Sequence, residues 1–78
     1  MPQIQIYLRN NDPFPNTVRA FDTNNADAEI WNGPVNALQQ QQVLCQTDSS
    51  GYGNIVTSTD TNPRQGHFRL MSGDRCDL

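Results

Sequence analysis

Turn-forming residues interrupt this chain every 8 to 13 positions, and that spacing limits what it can fold into. "NNDPFPN" at 10–16, "NG" at 32–33, "DSSGYG" at 48–53 and "DTNPRQG" at 60–66 each combine Asn, Asp, Gly or Pro, residues that end ladders and accept tight-turn geometry. The pieces left between them are short and rich in β-branched and aromatic residues. "QIQIYLR" alternates strictly, with Ile4, Ile6 and Leu8 on one face and Gln3, Gln5, Tyr7 and Arg9 on the other, the pattern of a half-buried strand. "TVRAFDT", "AEIW", "NIVTST" and "HFRLM" read as further strands, with "NG" closing "AEIW" as a hairpin turn. Pro34 then starts the next piece at an edge or after a bend. Residues 37–47, "ALQQQQVLCQT", satisfy helix and strand propensities in turn. A helix there would last barely three turns with little apolar face, so strand is the better reading. "SGDRCDL" is left as a tail.

Six short strands with frequent turns predict an all-β fold, a small antiparallel β-sandwich or barrel formed as one domain over residues 1–78. The expected core is Ile4, Ile6, Leu8, Val18, Phe21, Val43, Ile55, Val56, Phe68 and Leu70. At 78 residues and 35% apolar composition the core is thin, which favours homo-oligomerisation as a source of extra burial.

Charge narrows the partners. The chain has no lysine; its five cations are all arginines, they do not cluster, and the net charge is −3. A nucleic-acid surface needs a basic stripe to replace phosphate counterions, so DNA and RNA are not expected partners. No apolar run approaches the length of a membrane span, and no signal peptide is expected, so secreted and cytosolic locations both fit. Cys45 and Cys76 could form one disulfide, worth about 3.5 kcal/mol in the chain-entropy picture. If they do not, the compartment is reducing.

Catalytic motifs are few. His67 is the single histidine, no G-x-S-x-G elbow flanks a serine, and without lysine there is no Schiff base. Asp27 and Glu29 could share a strand face as a carboxylate pair, but so small a domain has little room for a cleft that would raise one pKa. Cys45, His67 and Cys76 lack the close spacing of zinc ligands. No enzyme activity is expected.

Three of the eight acids fall in "DTNNADAE", residues 22–29, together with two asparagines. The plainest reading is a wet loop between strands. Asp22, Asn24 and Asp27 are also hard oxygen ligands, with Glu29 near by, so calcium is the one metal worth considering; otherwise no cofactor is expected. "DTNNADA" resembles the acidic loop of the calcium-dependent bacterial fucose-binding lectins, a D-x-D-x-N-D-A pattern, at Asp22, Asn24, Asp27 and Ala28, while Ala26 departs from it. The resemblance spans seven residues, and it implies calcium-mediated sugar binding on a small β-sandwich.

Trp31 sits two residues beyond Glu29 and next to Asn32. An aromatic face beside carboxylates and amides is suited to stacking on a sugar ring while the polar groups take its hydroxyls. The expected ligand site is therefore Asn25, Asp27, Glu29, Trp31 and Asn32, with Tyr7, Tyr52, Asn54 and Gln46 as weaker members, and the expected ligand is carbohydrate. The alternative is a protein partner, with the chain acting as an enzyme inhibitor or as a virion or appendage subunit. "NNDPFPN" or "DTNPRQG", with Arg64 after Pro63, would then serve as the exposed loop.

Overall fold

A computed structural model describes residues 2–60 and 66–78 and shows seven strands in two packed sheets. The strands are β1 (Gln3–Arg9), β2 (Asn16–Asp22), β3 (Ala28–Val35), β4 (Gln40–Gln46), β5 (Gly53–Thr59), β6 (Gly66–Leu70) and β7 (Arg75–Asp77). One sheet has the order β4-β1-β7 and the other β3-β2-β5-β6. Both sheets remain open, so the sandwich is the architecture and the barrel is not. The Cα radius of gyration is 11.6 Å, as tight as the ~11.5 Å expected for a compact chain of this length.

The alternation in β1 sends Ile6 and Leu8 fully into the interface between the sheets, where they meet Val18, Ala20, Val35, Val43, Cys45, Ile55, Leu70 and Cys76. Ile4 packs against this core but is only half-buried. Phe21, Val56 and Phe68, expected inside, are also half-buried. For Phe21 and Val56 the reason is the pleat: Val18, Ala20 and Asp22 alternate inward along β2, and Ile55 and Thr57 along β5, so their neighbours must point out.

Three local expectations are corrected. Asn32-Gly33 makes no turn: β3 runs through both residues and through Pro34, antiparallel to β2. Even-numbered β2 residues direct their backbone groups at β3 and odd-numbered ones at β5, as the Asp60 N–H to Thr17 carbonyl bond shows. Pro34 lies opposite Thr17, so its missing N–H would have faced the open edge, and the proline breaks no ladder bond. The tail contains β7, which pairs parallel with β1 through Tyr7–Arg75, Leu8–Cys76 and Arg9–Asp77. A parallel partner 68 positions away leaves no local sequence signal. Finally, the disulfide does not form. Cys45 and Cys76 are free, buried, and on opposite flanks of β1, beside Ile4 and Leu8 respectively. That offset along β1 is about 13 Å, beyond the ~7 Å Cα separation a disulfide tolerates. Burial pushes the Cys45 thiol up to about 11, helped by the charge of Asp22. Burial likewise pushes Cys76 up to about 12, with Cys45, Asp77 and Asp74 adding to it.

Residues 37–47 resolve in favour of strand, with β4 starting at Gln40 after a turn in which Leu38 takes a positive φ of 56°. No helix of the described residues is long and apolar enough to cross a membrane.

Candidate functional site

The acidic stretch folds into a single 3-10 turn, Thr23–Asn25, followed by Ala26 and Asp27 with φ of 54° and 60°. Asp22 caps the turn and is buried, with 1% of its surface exposed. One of its carboxylate oxygens accepts from the Asn24 N–H at 3.1 Å and the other from the Gln46 N–H at 2.8 Å. The Asn24 amide donates to the carbonyls of Gln46 and Tyr52, and its oxygen accepts from Asn54. Two of the candidate calcium ligands are thus engaged in fastening the turn to β4 and β5. Among the described residues, no group of three or more His, Cys, Asp or Glu side chains is placed to hold a metal ion.

The five expected ligand residues separate. Asn25 and Asp27 are exposed at the turn. A β-bulge follows: Phe21 lies opposite Glu29 and Ala20 opposite Trp31, which leaves Ile30 as the extra residue. The bulge places Glu29 and Asn32 on the outer face of the four-stranded sheet, where Arg19 joins them. Arg19 donates from Nε and Nη2 to Glu29 Oε2 at 3.1 and 2.7 Å. This contact holds the Glu29 carboxyl below the ordinary range, with a smaller contribution from Asn32. Trp31 goes the other way. Opposite the buried Ala20, it packs half-buried against the core and donates its indole N–H to the Gly33 carbonyl at 3.1 Å. The aromatic therefore lies across the sheet from the polar groups beside it in sequence.

Phe21 takes its place on the outer face. Cross-strand pairing lines up Glu29, Phe21, Val56 and His67 as one row spanning all four strands. Phe21 and Val56 form an apolar floor between two polar ends. The floor opens into a concavity of about 400 Å3 lined by Phe21, Thr23, Asp27, Val56 and His67. A second, of about 270 Å3, shares Thr23, Val56 and His67 and extends to Asn54 and Arg69. The Arg19 guanidinium lies 5.0 Å from the Phe21 ring centre, and the Arg69 guanidinium 4.1 Å from that of Tyr52. Backbone donation from Tyr52, the Asn54 amide, the Ser50 N–H and nearby Arg69 keep the Asp48 carboxyl below its ordinary range. The signal missed in the sequence was pairing register: Phe21, Val56 and His67 are far apart along the chain and neighbours only across strands.

A second exposed feature is the loop after β1. Asn10 is 1% exposed and donates its amide to the carbonyls of Phe14, Val35 and Asn36, while its oxygen accepts from Asp12 N–H and the Asn16 amide. Phe14 is held outward between two prolines, 47% exposed. The other loop considered, with Arg64, lies outside the described residues.

Comparisons with protein-family models, with curated proteins and with solved structures give no match to this chain.

Proposed function

We propose that this domain is a non-catalytic binding module that takes carbohydrate on the outer face of the four-stranded sheet. The observation that carries the reading is the row Glu29–Phe21–Val56–His67, an apolar floor of about one ring's width bounded by hydrogen-bonding side chains. A pyranose laid on Phe21 and Val56 would reach Asp27 as an acceptor, and His67 and Arg69 as donors, through its hydroxyls. The shallow shape suits holding a sugar from one side. The Thr23 hydroxyl is committed to the Asn54 carbonyl at 3.0 Å, which supports a role in shaping the site over one in attack. The test is a glycan array probed with and without EDTA, repeated with Phe21→Ala. Glycan signals that survive EDTA and vanish with Phe21→Ala support the proposal; a blank array sinks it.

The exposed Phe14, on a loop hydrogen-bonded through Asn10, favours a second reading, a protein partner that accepts this aromatic in a pocket. Pull-down of a partner lost on Phe14→Ala and retained in Phe21→Ala would select it.

A further inference from the structure

We infer that the free edge of β4 is a self-association surface, pairing antiparallel with β4 of a second copy about a two-fold axis at Gln42. In the β1–β4 ladder the bonds Thr47 N–H to Pro2 and Asn10 N–H to Gln39 fix the phase. Odd-numbered β4 residues bond β1, so Gln40, Gln42, Leu44 and Gln46 turn their backbone groups to the open side. Gln46 is already capped there by Asp22 and Asn24. Gln40, Gln42 and Leu44 remain. Their only backbone partner on that side, among the described residues, is the Gln41 amide on the Gln42 carbonyl, which keeps a second lone pair.

The other edges are blunted. β3 carries Pro34 and the bulge, β6 displays His67 and Arg69, and β7 is three residues long with Arg75 and Asp77. β4 has no charge, no proline and no bulge.

The occupant follows from symmetry and charge. The three open residues are centred on Gln42, so a two-fold axis there pairs Gln42 with itself and Gln40 with Leu44. All three N–H groups of each copy are then satisfied. The molecule carries a net charge of −3, yet this pairing sets no like charges opposite each other. Gln42 amides meet as mutual donors and acceptors, and the exposed Leu44 is covered by the stem of Gln40. The turn capped by Asp22 ends the ladder at Gln46, which favours a closed pair over an extending sheet.

The experiment is sedimentation of the whole chain across micromolar to millimolar concentration, with hydrogen exchange followed at single amides. The expected result is a species of twice 8.8 kDa, with Gln40, Gln42 and Leu44 amides becoming protected as concentration rises. Gln42→Pro removes an N–H that the monomer does not use, and Gln42→Glu sets two carboxylates face to face. Both should weaken the dimer by roughly tenfold or more while leaving the dilute-protein melting curve in place. A monomer throughout the range, or a dimer indifferent to both substitutions, overturns the inference. Protection of these amides only by an unrelated extended peptide would also overturn it.

Discussion

The Asp22 carboxylate accepts the Gln46 N–H at 2.8 Å and so joins the end of β2 in one sheet to the end of β4 in the other. Every buried side-chain nitrogen and oxygen among the described residues has a partner, and Asp22 serves two backbone donors at once. Asp22→Ala leaves both donors short and should cost about 3 kcal/mol, read from the urea midpoint. Asp22→Asn should fare little better, since its amide can turn only one oxygen toward the two N–H groups. An Asn variant as stable as the parent would show that the second bond carries no weight.

Phe21 and Trp31 should exchange the roles their residue types suggest. Phe21→Ala removes the floor of the outer-face concavity and is expected to abolish glycan binding with a modest loss of stability, because the ring is half-exposed. Trp31→Ala should bind like the parent but lose about 2–3 kcal/mol, less than a fully buried tryptophan would cost. Parallel denaturation and binding titrations of the two variants check this.

Gly53 has no room for a side chain. A methyl there would lie 2.6 Å from the Cys45 sulfur and 3.3 Å from Ile4 Cδ1. Gly53→Ala should cost about 1–3 kcal/mol through overpacking. Cys45→Ala in the same molecule should restore part of that loss, giving a coupling energy outside additivity in a double-mutant cycle. Strict additivity would mean the sulfur moves aside freely.

The two thiols make stability fall in alkali. Each is held protonated in the folded state, with values raised to about 11 and about 12, whereas an unfolded thiol ionises near its ordinary ~8.5. Their contribution is complete below the unfolded value and is lost as pH rises from there through the folded values. Urea midpoints should therefore decline above about pH 9, more shallowly in Cys45→Ala. Native protein should label slowly with a thiol reagent and quickly once unfolded.

What the sequence made legible was whatever depends on neighbours along the chain. The inward side of β1 follows from the alternation of Ile4, Ile6 and Leu8, and the breaks at 10–15 and 48–52 from their own turn chemistry. Residues 40–46 were decided by apolar pattern over glutamine propensity. What failed depended on partners. Asn32-Gly33 is a hairpin signal only if the chain has room to turn there, and β2 held it straight. Adjacency in sequence groups Trp31 with Glu29 and Asn32, but the pleat and the Ile30 bulge put it on the opposite face. Phe21, Val56 and His67 converge through registers that single-strand patterns do not encode. The use of Asp22 and Asn24 as fasteners depends on β4 and β5 lying within reach of their side chains.

The pairing of β7 with β1 also sets an order of events during synthesis. Leu8 finds its neighbour Cys76, 68 positions further on, only after the intervening chain has been made. The four-stranded sheet can assemble from residues 16–70 while β1 still lacks one flank, with Leu8 uncovered on that side. A ribosome releasing this chain from its N-terminal end exposes β1 first and completes its sheet last. The interval is one in which a chaperone would find its binding sequence in "QIQIYLR", and a slow codon between those for β6 and β7 would lengthen it.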